Sequence, residues 1–227
     1  MHYRQPPVID LRMKQATTPQ TRLSSGETAV LWTILIVCVL IEGAFQLSKL
    51  DVIGLPGLRI WAYGNGAFWP VLLQHGHPNY PLQPWLMFLT YGFIHGGLLH
   101  MCFNMITLWS LGTAVTSRVG IRRFLVIYFT TMIAGAATYG ALVTSGQPMV
   151  GSSGALFGLA GTLVAWIWLA QPTPTQSFQR TWRILAVLLG LNVLMYWAFS
   201  GQLAWETHLG GFVAGWALGI FFEGRPE

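Results

Sequence analysis

The sequence predicts an all-α polytopic membrane protein with six transmembrane helices and a long first outer loop lying in the membrane interface. Three observations carry this reading. Charged residues make up 8% of the chain and hydrophobic residues 53%, with a mean hydropathy of +0.53; a soluble domain carries about 25% charged residues, so this chain cannot cover a water-facing surface. Residues 60–117, 124–179, 184–205 and 207–222 contain no Asp, Glu, Lys or Arg. Six stretches, 29–48, 97–117, 124–143, 153–171, 182–200 and 205–222, come close to the about 20 apolar residues that a helix needs to cross the hydrocarbon core.

Taken in order, residues 1–28 are a polar tail and 29–224 a six-helix membrane domain. The first apolar run is long enough to span rather than serve as the short core of a signal peptide. It holds one acid, Glu42, which faces either the bundle interior or the outer interface. The loop 49–96 is uncharged after Arg59 and rich in aromatics (Trp61, Tyr63, Phe68, Trp69, Tyr80, Trp85). It is too apolar to extend into water, and Trp and Tyr favour the headgroup level. Short helices and turns punctuated by Pro70, Pro78, Pro81 and Pro84 are expected there. Arg118, Arg122 and Arg123 separate the second and third spans, and "QPTPTQSFQRT" (171–181) reads as a polar connector before the fifth. Cys38 and Cys102 lie in apolar runs and read as buried free thiols. No disulfide or metal-ligand spacing exists, so neither metal nor cofactor is implied. No internal repeat suggests an inverted-repeat transporter.

The net charge of +5 is too scattered for a nucleic-acid surface. Its placement sets orientation instead. Arg4, Arg12, Lys14, Arg22, Arg118, Arg122, Arg123, Arg180, Arg183 and Arg225 fall on one side if the spans alternate, and only Lys49 and Arg59 fall on the other. The positive-inside rule then makes both termini cytoplasmic; the short tail fits a prokaryotic inner membrane, with an organellar origin as the alternative because residues 1–28 are rich in Arg and Thr.

Polar residues inside spans are costly, and each is a functional candidate. His100 and Asn104 lie near the outer end of the second span, Ser152 and Ser153 at the outer end of the fourth, and His208 near the outer end of the sixth. His100 and Asn104 share one helical face. So do His208, Gly211, Gly215 and Gly219, which makes a glycine groove below the histidine. Gly154 and Gly158 form a second groove below Ser153. Singly, each has a bland explanation: a membrane serine bonds its own preceding turn, and small residues four apart let helices pack. Packing alone does not explain why all of them stack at one outer depth. If the grooves face each other, Ser153 meets His208.

These residues resemble the rhomboid intramembrane serine proteases. "GSSG" (151–154) resembles the family's G-x-S-G, "HLGG" (208–211) its H-x-x-G, and "HGGLLHMCFNM" (95–105) its H-x4-H-x3-N. The likeness covers about residues 85–225. It implies Ser153 as nucleophile within Gly151–Gly154, His208 as base beside Gly211, and His100 and Asn104 as oxyanion donors. It also implies Phe157 packing on the His208 ring, and His95 holding the loop rather than doing chemistry. The substrates implied are transmembrane segments of other proteins, cut near their outer ends, with membrane lipids as surroundings. The fifth span becomes a candidate lateral gate and 201–207 a cap loop. Members often carry Trp-Arg in the first outer loop, whereas here Trp85 precedes Leu86. The acid near His208, Glu206, is two residues away on a different face, so the residues read as a Ser–His dyad. A catalytically inactive relative that binds transmembrane helices is the alternative.

Overall fold

The computed structural model describes residues 23–74, 76–144, 146–198 and 203–223. Most of the expected tail, Arg225 and part of the expected cap 201–207 therefore lie outside the described residues. The described chain is helical, with a single isolated β-bridge between Phe68 and Met149.

Helix α1 (Ser25–Lys49) starts at a capping box: the Glu27 N–H donates to Ser24 Oγ and the Ser24 N–H to Glu27 Oε2. Its buried positions, Leu31, Ile34, Cys38, Glu42 and Phe45, form one stripe. The loop that follows folds as expected into short pieces: α2 (Leu58–Gly66), a 3-10 turn opened by Pro70, α3 (Gln83–Thr90) with Pro84 in its first turn, and a second 3-10 turn over Tyr91–Phe93. Proline fits these first turns because the missing N–H has no helical partner to lose.

Helix α4 (Leu98–Leu142) breaks at Gly120, whose φ of 74° and ψ of 173° are not helical. A Cβ on Gly112 would sit 3.6 Å from the Phe124 ring. Twelve residues of unbroken helix would separate these positions by about 18 Å, so the two limbs fold back on each other. α5 (Ser153–Leu169), α6 (Pro174–Ala198) and α7 (Trp205–Phe222) complete the chain. α6 starts within the segment expected to be a polar connector. Pro174 occupies its first turn behind Thr173, whose carbonyl and Oγ1 accept the Ser177 and Gln176 N–H groups; polarity marked a water-facing helix end rather than a loop.

α5 is central. It packs most extensively on α7, both pack on α4, α1 covers α4, and α6 makes its main contact with α5. Tyr91, Leu108, Phe124, Tyr128, Met132, Leu159 and Trp166 fill the core between them. Large apolar side chains face outward along α1 (Ile36, Leu40) and α6 (Val187, Leu191, Leu194). Among the described residues, α1 and the two-limbed α4 are the helices long and apolar enough to cross a membrane, with mean hydropathies of 2.2 and 1.5 over their best windows. One thiol expectation fails: Cys38 is buried but Cys102 is exposed, because it sits off the Met101–Asn104–Met105 face that turns inward.

Candidate active site

The two glycine grooves face each other. A Cβ on Gly211 would land on the Gly154 carbonyl, and one on Gly215 on the Gly158 carbonyl. The α7 residues facing inward are Thr207, His208, Gly211, Gly215 and Gly219. Polar bonds lock the seam: Thr162 Oγ1 donates to the Gly215 carbonyl at 2.9 Å and Trp166 Nε1–H to the Gly219 carbonyl at 2.9 Å. Backbone-to-backbone approach is what small residues permit. It leaves the side chains at the head of the seam in contact.

At that head, Ser153 is the first residue of α5 and His208 lies in the first turns of α7. Ser153 Oγ and His208 Nε2 are 2.8 Å apart. Phe157, one turn below Ser153, stacks on the imidazole with centroids 4.2 Å apart and planes 9° from parallel. Asn192 of α6 places Oδ1 2.5 Å from His208 Nδ1. The Asn192 amide nitrogen donates to the Leu188 carbonyl at 3.0 Å, which settles the amide's orientation and leaves its oxygen toward the ring.

The other candidates gather around Gly151 and Ser152, next to Ser153 in the chain. The His100 Nδ1 accepts the Gly96 N–H at 3.2 Å, so its proton belongs on Nε2. That nitrogen lies against Gly151, where a Cβ would be 3.0 Å from it. Gly151 has φ +117°, a conformation suited to glycine, and its N–H donates to the Tyr91 carbonyl. Asn104 is buried; its amide nitrogen donates to the His100 carbonyl at 2.8 Å, and its oxygen accepts from Ser152 Oγ at 3.2 Å. Asn104 thus retains one further amide hydrogen. Ser152 also lies 3.5 Å from His95 Nε2, so the two serines point different ways: Ser153 to His208, Ser152 into the Asn104–His95 cluster.

His95 is fully buried, and burial, with His100 beside it, pushes its ring down to about 3. It stays neutral. Its carbonyl accepts Arg59 Nη1 at 2.7 Å and Tyr63 Oη at 3.2 Å. Arg59 Nη2 reaches Glu42 Oε1 at 2.6 Å, and the guanidinium covers the Phe45 ring. Burial opposes the Arg59 charge, but the hydrogen bond and charge of Glu42 outweigh it and raise the guanidinium above its usual range. The question over Glu42 is thereby answered: it faces the interior, fully buried, and ties α1 to the outer loop. Trp85 and Leu86 are both exposed. The loop is held by Arg59, one helix earlier.

Two groups at the site lie outside the sequence motifs, Asn192 and the Glu42–Arg59 pair. The signal for Asn192 was present: it is a polar residue interrupting the apolar run "ILAVLLGLNVLMYWAF", and intramembrane polarity marks candidates. Arg59 is one of the two cations that the alternating-span reading sets apart from the other ten.

A family model described as a Rhomboid domain matches residues 82–225. The rhomboid protease GluP of Bacillus subtilis (strain 168) is 33% identical over 140 residues, covering 60% of this chain and 26% of that protein. RHOMBOID-like protein 5 of Arabidopsis thaliana is 30% identical over 138 residues, covering 59% and 43%. The rhomboid protease GlpG of Salmonella choleraesuis (strain SC-B67) is 29% identical over 191 residues, covering 83% and 61%. The aligned part spans between about a quarter and three-fifths of these relatives' lengths.

Proposed function

The chain belongs to the rhomboid family, and from that premise we propose that it is an intramembrane serine endopeptidase that cuts transmembrane segments of other proteins near their outer ends. The observation that supports this most is the 2.8 Å approach of His208 Nε2 to Ser153 Oγ. A serine hydroxyl becomes nucleophilic when a base removes its proton, and histidine suits that role near neutral pH. Ser153 Oγ attacks the scissile carbonyl carbon as its proton passes to His208. The C–N bond then breaks, and His208 returns the proton to the leaving amine. Water, activated by the same imidazole, hydrolyses the acyl ester and frees Ser153.

The carbonyl oxygen turned oxyanion needs donors aimed at it. The Ser153 N–H belongs to the first turn of α5, whose N–H groups have no helical partner and which Ser152 does not cap. His100 Nε2–H and the second Asn104 amide hydrogen complete the set. Phe157 holds the ring, Gly151, Gly154 and Gly211 allow the close approach, and His95 holds the loop.

In membrane terms, the reading keeps six spans: α1, the two limbs of α4, α5, α6 and α7, with residues 1–28 and both termini cytoplasmic in a prokaryotic inner membrane. α5 has 17 residues, a length of about 26 Å against a core of about 30 Å. Ser153 would then lie slightly below the outer surface, reached by water through the loops. A cavity of about 620 Å³ opens between α6 and α7 beside Phe157 and His208. It supports α6 as the wall through which a substrate helix enters from lipid.

The test is labelling of the detergent-purified chain by a fluorophosphonate. Wild type and Ser152→Ala should label and Ser153→Ala should not, while His208→Ala should abolish cleavage of a model transmembrane substrate. Labelling that survives Ser153→Ala overturns the reading. Folded wild type that neither labels nor cleaves favours the inactive, helix-binding alternative.

A further inference from the structure

Resting on the Ser153–His208 reading, we infer that Asn192 is a positioning residue for the base, making the dyad in effect a Ser–His–Asn arrangement shared between α5, α7 and α6. The chain of bonds leaves one consistent proton pattern. Asn192 spends an amide hydrogen on the Leu188 carbonyl and turns Oδ1 to His208 at 2.5 Å. An amide oxygen only accepts, so His208 Nδ1 must carry the proton. Nε2 then presents its lone pair to Ser153 Oγ. The opposite tautomer would set a lone pair against Oδ1 and a proton against the hydroxyl, unable to take the serine's proton.

The stack on Phe157 fixes the plane of the ring but not its rotation within that plane. Asn192 supplies the missing restraint. It does so at low electrostatic cost, since a neutral amide needs no counter-charge where a buried carboxylate would. Among the described residues, His100 on α4 is an ionisable group near enough to act on His208, and its ring lies against Gly151.

A group that fixes a tautomer contributes to the chemical step, not to binding. The loss of one neutral hydrogen bond corresponds to roughly tenfold in rate. The experiment compares full-length wild type, Asn192→Ala and Asn192→Asp in cleavage of a model transmembrane substrate across pH, with fluorophosphonate labelling alongside. Asn192→Ala should lower kcat about tenfold or more with KM little changed, and slow labelling in parallel. Asn192→Asp keeps the acceptor and should recover most of kcat. It should also move the acidic limb of the pH–rate profile to higher pH, because a carboxylate favours the imidazolium. The inference is overturned if Asn192→Ala stays within twofold of wild type. It is equally overturned if the loss lies in KM, or if Asn192→Asp fails to restore activity and leaves the acidic limb unmoved while remaining folded. Failure of the dyad reading would look different: Ser153→Ala would still label, whatever happens at position 192.

Discussion

His208, the proposed base, is held by two helices packed in opposite styles. α7 meets α5 backbone to backbone, through Gly211 on Gly154 and Gly215 on Gly158, with Thr162 and Trp166 bonding across to its carbonyls. α6 reaches α5 where Ser177 Oγ donates to the Trp168 carbonyl at 2.8 Å, turns Val187, Leu191 and Leu194 outward, and leaves a cavity of about 620 Å³ between itself and α7. The first seam sets where His208 sits relative to Ser153. α6 adds the Asn192 hydrogen bond that orients the ring. Position and orientation thus come from helix contacts of different closeness. An opening of α6 toward lipid would release the orienting bond while leaving the Ser153–His208 spacing intact.

The hardest blow to this contrast is a side chain in the tight seam. Gly215→Val places a branched side chain on the Gly158 carbonyl, an obstruction made of backbone rather than a flexible tip. Overpacking of that kind costs about 1–3 kcal/mol, occasionally more, and here no rotamer escapes it. Thermal unfolding in detergent should show a fall in Tm of many degrees or no folded protein at all. A Tm within two or three degrees of wild type would mean the seam is looser than its geometry.

Next in size is the charge that fastens the outer loop. Glu42 is fully buried, whereas the Arg59 side chain is 30% exposed. Removing the cation strands a buried carboxylate; removing the acid leaves a cation that reaches water. Arg59→Met should therefore destabilise more than Glu42→Gln, toward the about 3–5 kcal/mol typical of a broken buried pair. Both should lower activity, because Arg59 also holds the His95 carbonyl. Thermal unfolding of the two single variants checks the order; the reverse order would mean that Glu42 is compensated by groups other than Arg59.

How much of this was legible beforehand follows from the kind of signal each feature leaves. The grooves of α5 and α7 could be read because helical period is written in the chain: Gly211, Gly215 and Gly219 repeat every four residues below His208. In the structure Ser153 meets His208, His100 and Asn104 gather about Gly151 and Ser152, and Phe157, named from the resemblance rather than from depth, stacks on the imidazole. Asn192 and Arg59 belong to no helical repeat and to none of the three motifs; each acts through one partner on another element, His208 and Glu42. No spacing rule links them. The start of α6 was missed for a different reason: polar residues at 174–181 satisfy a helix end that faces water as readily as a loop.

The smallest expected effect gives the cleanest contrast between the seams. Gly190 lies on α6, and a Cβ built there meets nothing within 4 Å, whereas on Gly215 it meets backbone. Both are glycines inside a helix, so both would gain roughly 0.5–1 kcal/mol of helical preference on conversion to alanine. Only Gly190 can keep that gain, because only there is the space free. Gly190→Ala should leave activity and Tm near wild type or raise Tm slightly. Gly215→Ala, the same change in the other seam, should lower it. If instead Gly190→Ala proves damaging in lipid, then α6 closes against another surface during turnover, and its openness describes one stage of the cycle rather than a permanently loose helix.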